Sequence, residues 1–372
     1  MRILAIEPYY GGSHQAFLDQ WIEKSVHQWQ LVTLPAHHWK WRMRHAPIWS
    51  AEKVRQLWRS GARWDVLFCS DMLDLAAFLG LAGSAICQLP AVVYFHENQL
   101  TYPTRFDQQR DLHFALTNFT TALAAREVWF NSHFHSRSFF TALQTWLRSL
   151  PDYPPLEQLR SIEAKSHIQP PGIDVQGIQQ QSTVGPLHIA WAARWEHDKG
   201  PEFFFAALRI LKQQQIDFRI TICGQVFREI PTVFQQAERE FHDHICHWGP
   251  IESHTDYLHK LSRADVFVST AQHEFFGLSV MESIAMGLTP LLPNRLSYPE
   301  LLDAPYNPAT STFIYDGSSS DLADRLITLA RAPRPLLSSE QRALLADIAR
   351  RYHWSNRATA MDHALENAAT SS

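Results

Sequence analysis

Val266-Phe267-Val268-Ser269-Thr270 is an apolar run ending in hydroxyls. His273-Glu274-Phe275-Phe276-Gly277-Leu278-Ser279-Val280-Met281-Glu282 follows it and opens a helical pattern that stops near Gly287. A short buried strand, a glycine turn and a helix, in that order, form the repeating unit of a parallel α/β sheet.

The same rhythm recurs on both sides. Upstream, apolar runs lie at Arg2 to Pro8, Gln30 to Pro35, Asp65 to Ser70, Ala91 to His96 and Glu127 to Ser132, separated by helical patterns. A second set comprises Leu187 to Arg194, Phe218 to Gly224, Ile245 to Pro250, Asp265 to Thr270, Thr289 to Pro293 and Thr312 to Tyr315. Between them, Leu150-Pro151-Asp152-Tyr153-Pro154-Pro155, Gln169-Pro170-Pro171-Gly172 and the Gln-rich stretch Gln176 to Gln181 mark a connection. The expected division is 1–175 and 176–350, with a closing helical segment at 351–372. A chain of 372 residues suits two such domains facing across a cleft, with ligands at the carboxyl ends of their strands.

The turn Phe276-Gly277-Leu278 presents helix-start N–H groups and a positive dipole end, which suits a diphosphate. Glu282, one turn further in, can accept two hydrogen bonds from a ribose diol, and Glu274 can reach the hydroxyls of a hexose. The bland alternative is a surface helix with an incidental glutamate pair. Ala193-Arg194-Trp195-Glu196-His197-Asp198-Lys199-Gly200 ends the first strand of the second set. Fixed cations at Arg194 and Lys199 would stabilise charge growing on a leaving phosphate and replace a divalent metal. A salt-bridge loop built with Glu196, Asp198 and Glu202 is the competing explanation.

In the first set, Tyr9-Tyr10-Gly11-Gly12-Ser13-His14 follows strand one. Gly11 and Gly12 let the backbone approach a ligand, although the spacing is not that of a Gly-x-Gly-x-x-Gly fingerprint. Phe95-His96-Glu97-Asn98-Gln99 turns polar where the fourth strand reaches the expected cleft. His96 can hydrogen-bond a hexose or acceptor there, and Glu97 or Asn98 can orient the acceptor. From His37 to Arg63, seven cations (Lys40, Arg42, Arg44, Lys53, Arg55, Arg59, Arg63) face the one acid Glu52, with Trp39, Trp41, Trp49 and Trp58 interleaved. Such a stretch binds phosphates and stacks unpaired bases, or is a solvated basic helix with its indoles in the core.

Composition excludes several classes. Hydrophobic residues at 45% support two cores, and a net charge of -4 argues against a globally basic nucleic-acid binder. Four scattered cysteines point to a reducing cytoplasm rather than a disulfide framework. The N-terminal run is too short for a signal peptide, and no stretch approaches a membrane span. The clusters His242-Asp243-His244-Ile245-Cys246-His247 and His133-Phe134-His135 lack zinc-site spacing, so no metal is expected.

Glu274 and Glu282 at Glu-x7-Glu spacing, with upstream Arg194 and Lys199-Gly200, resemble glycosyltransferase family four of the GT-B fold. The aromatic before the glycine, single in that family, is doubled here as Phe275-Phe276. The blocks Glu7-Pro8-Tyr9-Tyr10-Gly11-Gly12-Ser13-His14, Leu34 to Arg42 and Tyr94 to Pro103 resemble the N-terminal domain of the tRNA-queuosine mannosyltransferase family. The resemblance implies retaining transfer of mannose from GDP-mannose to queuosine in the anticodon loop of tRNA-Asp, without cofactor or metal. It implies catalytic roles for His96, Arg194, Lys199 and Glu274. Donor contacts would come from Gly11, Gly12, Arg194, Lys199, Glu274, Phe276, Gly277, Leu278 and Glu282. His14, Lys40, Trp41, Arg42, Glu97 and Asn98 would face the acceptor. A GT-B enzyme with a small-molecule or lipid-linked acceptor, a glycosidase, and a non-catalytic RNA binder with a degenerate transferase fold are the rivals.

Overall fold

The structure is a computed structural model, described here for residues 1–103, 111–181, 184–226 and 230–370. It divides into two compact units, Met1–Gly172 with Trp354–Ser372, and Ile173–His353. The division expected at 175/176 thus falls at 172/173, and the closing helix Trp354–Thr370 counts with the first unit.

The first unit holds β1 (Arg2–Tyr10), β2 (Gln28–Pro35), β3 (Val66–Ser70), β4 (Ala91–Phe95), β5 (Glu127–Phe130) and β6 (Ser166–Ile168) in one parallel sheet, ordered β2-β1-β3-β4-β5-β6. β3 and β4 are buried at every position, as strands covered on both faces must be. Alternate residues serve opposite cores: Leu4, Ile6, Leu67 and Val93 face one way, and Ile3, Ala5, Val66 and Phe68 the other. The closing helix covers the second face with Met361 and Leu365. Asp362 fixes it there, accepting from Trp21 Nε1 at 2.9 Å, Ser25 Oγ at 2.9 Å and Val26 N at 2.9 Å. β6 is an addition to the strands read from sequence, because three residues, Ser-His-Ile, carry too little pattern to register as a strand.

The second unit holds β7 (Leu187–Ala192), β8 (Phe218–Cys223), β9 (Ile245–Gly249), β10 (Val266–Val268), β11 (Thr289–Pro293) and β12 (Ile314–Tyr315), also parallel, ordered β12-β11-β10-β7-β8-β9. That is the doubly wound dinucleotide-fold order, with its reversal between β7 and β10; in the first sheet the reversal falls between β1 and β3. Ligands of such sheets bind outside the carboxyl ends of the strands at the reversal. The loops to inspect are therefore those after β7 and β10, and those after β1 and β3.

Candidate functional site

In the second unit, β7 runs into a loop and a single 3-10 turn, His197–Lys199. Gly200, at φ 62°, then starts the helix Pro201–Gln213. A Cβ on Gly200 would overlap the main-chain oxygen of Thr270, so glycine lets this loop close on the end of β10. Gln272 N and His273 N donate to Asp198 O at 2.7 and 3.1 Å, and Thr270 Oγ1 donates to Lys199 O at 2.9 Å. This lattice buries Lys199 to 5% exposure. Its Nζ donates to His273 O at 2.7 Å and lies 3.2 Å from Asp198 Oδ2 and 3.4 Å from Glu274 Oε2. Lys199 and Glu274 are thereby one group.

Arg194 is placed differently. It pairs with Glu196 at 3.2 Å, with about a third of each side chain exposed. His197 pairs with Glu202 at 3.2 Å, so the salt-bridge loop weighed from sequence coexists with the Lys199 cluster. His273, buried beside that cluster, is pushed down to about 4 by burial and then by the Lys199 charge.

Gly277, at φ 104°, starts the helix Leu278–Met286, and no side chain caps its first turn. The first N–H groups of such a helix look outward for an acceptor. Phe276, expected to touch the donor, is 4% exposed and packs on Tyr352 at 5.3 Å; its ring belongs to the core, leaving only its backbone to the turn. Phe275 packs on His273 at 4.5 Å, which accounts for the doubled aromatic. Glu282 accepts from His254 Nε2 at 2.8 Å, on the helix His254–Leu261. This hydrogen bond holds the His254 pKa above its ordinary value. Sequence reasoning missed His254, which lies 28 residues from its partner in no local motif.

In the first unit the ends of β1, β3 and β4 carry a buried polar cluster. Glu7, 1% exposed, accepts from Tyr9 N at 2.8 Å, Ser70 Oγ at 3.0 Å and His14 Nδ1 at 3.2 Å. The His14 ring lies 4.0 Å from that of His96. Burial opposes charging His14, but the Glu7 carboxylate and hydrogen bond outweigh it and carry the pKa up to about 9, with Asp71 and Glu97 adding to the effect. His96 is driven well below the ordinary histidine value by burial, then by the charges of His14 and His135. The two rings meet at a tilt of 33°, with the proton favoured on His14 and disfavoured on His96.

Asp71, fully buried, accepts His96 N at 2.9 Å through Oδ1, while Asn131 Nδ2 donates to His96 O at 3.0 Å. The backbone of His96 is clamped from both sides. Asp71 Oδ2 and His96 Nε2 are buried and have no protein partner among the described residues. Burial, and then the Glu97 charge, raise the Asp71 pKa well above the carboxylate range. Asp71 went unread in the sequence, and the only signal for it was an acid at the end of a buried run.

Asn98, expected at the acceptor, spends Oδ1 on its own loop, accepting from Leu100 N, Thr101 N and Thr101 Oγ1 at 3.1, 2.9 and 3.1 Å. Glu97 accepts from Gln99 Nε2 at 3.4 Å. Gly11 and Gly12 stand at the start of the helix Gly12–Lys24, with no side-chain cap. Lys40, Trp41 and Arg42 open the helix Trp39–Arg59. Lys40 and Trp41 are exposed, whereas Arg42 Nε is committed to Pro35 O at 3.0 Å. Trp49 and Trp58 pack on the core, so the buried-indole alternative holds for them and fails at Trp41.

Among the described residues, Glu7, His14 and His96 are the one trio whose ligand atoms lie within 4.8 Å of one another. In the stretch 242–247, His242 pairs with Asp243 at 2.8 Å, and His244 Nδ1 hydrogen-bonds Phe218 O at 2.9 Å.

The fold is that of GT-B glycosyltransferases. It matches the Anabaena HepE protein crystallised with UDP at a TM-score of 0.69, with 13% identity over 99% of this chain and 100% of that one. It matches sucrose-phosphate synthase of Thermosynechococcus elongatus at a TM-score of 0.71, with 13% identity over 99% of each chain. The family model "Glycosyl transferases group 1" covers residues 178–351, and "tRNA-queuosine alpha-mannosyltransferase N-terminal" covers residues 2–173. The tRNA-queuosine alpha-mannosyltransferase of Drosophila melanogaster is 35% identical over 345 residues, spanning 89% of this chain and 88% of the relative. The chain belongs to the tRNA-queuosine alpha-mannosyltransferase family.

Proposed function

We infer that this protein is a cytoplasmic retaining hexosyltransferase that moves mannose from GDP-mannose to queuosine in the anticodon loop of tRNA-Asp. The observation that carries the reading is the joining of Lys199 to Glu274 beside the uncapped helix start at Gly277, where the second sheet reverses. That arrangement suits a hexosyl diphosphate: N–H groups and a cation for phosphate, a carboxylate for sugar hydroxyls.

In the proposed reaction the bond between the anomeric carbon and the diphosphate oxygen breaks. The acceptor hydroxyl bonds to the same carbon on the same face, and its proton passes to the leaving phosphate. Lys199, with Arg194, stabilises the charge appearing on that oxygen, so no metal is required. Glu274 and His96 position the sugar. Glu282, oriented by His254, holds the ribose. Gly11 and Gly12 approach the donor, while His14, Lys40, Trp41, Glu97 and Asn98 serve the acceptor. Arg42 serves the acceptor with its remaining guanidinium N–H groups, its Nε being anchored on Pro35 O.

The test is incubation with GDP-mannose and queuosine-containing tRNA-Asp in the presence of a chelator, followed by nucleoside mass spectrometry. One added hexose with retained configuration is expected. No mass gain on competent tRNA would overturn the acceptor assignment, and a requirement for divalent metal would overturn the mechanism.

A further inference from the structure

We propose that the exposed face of the helix Trp39–Arg59 is a docking surface for single-stranded RNA, seating the unpaired bases of the acceptor's anticodon loop. The proposal rests on the tRNA reading above and deepens it by locating the contact. Trp41 is 59% exposed and its ring lies parallel to that of His45, 5.2 Å away with planes 5° apart. Ile48, 61% exposed, follows at the next turn, so Trp41, His45 and Ile48 form one stripe at helical spacing. An indole left in water on a helix whose other tryptophans are packed is a preformed stacking platform rather than leftover core.

Cations frame it. Lys40 and Arg44 are exposed beside Trp41, and the Arg44 guanidinium is steadied over the Phe114 ring at 4.8 Å. Arg59, also exposed, stands five turns on from Trp41 at the same angle, about 27 Å along the axis. The helix's one acid, Glu52, is already paired with Arg55 at 2.5 Å, so neither enters the free charge of the face. This concentration of positive charge sits in a chain whose net charge is -4, which is the complement expected for a polyanion. The helix also starts beside the polar cluster: Trp39 packs with Tyr9, Met43, Met72 and Phe114, next to Glu7 and Asp71. It is the first turn of the helix, through Trp39 and Met43, that adjoins the ends of β1 and β3, while the stripe of Trp41, His45 and Ile48 faces away from them.

The experiment measures binding of a labelled queuosine-containing anticodon stem–loop to the full chain by fluorescence anisotropy, at several salt concentrations. The double variant Arg44→Glu with Arg59→Glu should bind at least about tenfold more weakly with a shallower salt dependence. Trp41→Ala should lose about fivefold or more, and Trp41→Phe should recover most of it. GDP affinity should stay at the wild-type value in all three, showing that the fold is intact. RNA affinity equal to wild type in the double variant and in Trp41→Ala would overturn the proposal. So would loss of binding to phosphatidylserine vesicles with RNA binding unchanged, which would make the face a membrane contact. If wild-type protein adds hexose to tRNA while the variants bind RNA normally, the surface falls and the enzymatic reading survives. If the variants lose RNA binding but wild-type protein adds no hexose, the reverse holds.

Discussion

Lys199 Nζ donates to the main-chain oxygen of His273 at 2.7 Å while standing 3.4 Å from Glu274 Oε2, so a cation from the loop after β7 and an acid from the loop after β10 form one unit. Substituting Lys199→Met removes charge where the leaving phosphate would develop it. Transfer should fall about 10²- to 10³-fold in kcat. Stability should fall by about 2–3 kcal/mol, because Asp198 and Glu274 lose their partner, an effect moderated by the partial exposure of Glu274. Single-turnover assays and urea melts read the two separately, and an unchanged kcat would remove Lys199 from the chemistry.

Gly200→Ala should be disruptive out of proportion to one methyl group. The residue sits at φ 62° and its Cβ would overlap Thr270 O, against which the β7 loop closes. A loss of roughly 2–3 kcal/mol is expected from left-handed strain plus displacement of the loop. Thermal unfolding tests it, and a variant melting within a degree of wild type would show that the loop accommodates the methyl.

His254→Ala should weaken donor binding and leave the chemical step largely intact. His254 Nε2 fixes Glu282 from 2.8 Å, and Glu282 is the proposed ribose ligand. KM for the donor should rise about fivefold to tenfold with kcat nearly constant, as for lost uniform binding. A fall in kcat at constant KM would place His254 elsewhere in the mechanism.

His14 and His273 should make stability depend on pH on opposite sides of 6.5. His14 has its folded pKa raised to about 9, so its contribution is complete below 6.5 and is lost as pH climbs through 9. His273 has its folded pKa lowered to about 4. The unfolded chain therefore binds the proton first, and stability falls as pH drops from 6.5 toward 4. Glu7→Gln should flatten the alkaline limb and cost about 2–3 kcal/mol at pH 6.5 by removing a buried charged hydrogen bond. Thermal melts between pH 4 and 9.5 check this; an alkaline limb that persists in Glu7→Gln would rule out the His14 assignment.

Eleven of the twelve strands among the described residues were legible because each is a run of apolar residues closed by a polar or glycine turn, a signal carried within a few neighbouring positions. β6 was not, since its three residues pair with β5 without a pattern of their own. The placement of Lys199 and Glu274 in loops at strand ends was legible for a similar reason, since each lies just before a glycine. Phe276 and Arg42 show what the sequence leaves open, because it does not say which way a ring or a guanidinium turns; the Phe276 ring packs on Tyr352 while its backbone stays at the turn, and Arg42 Nε donates to Pro35 O. Asp71 and His254 were illegible, since each matters only through a partner 25 or 28 residues away.

The sequence alone determined the alternation of strand and helix, the glycine-containing turns at Gly11-Gly12 and Gly277, and the charged residues set at strand ends, because those depend on local backbone freedom and hydrophobic period. The tertiary structure decided which strand ends are neighbours. Only the sheet orders place the end of β1 beside β3 and that of β7 beside β10, and side chains can exchange hydrogen bonds and charge only across those few ångströms. The ionised state of His14, the neutrality of His96 and the pairing of Lys199 with Glu274 follow from that adjacency.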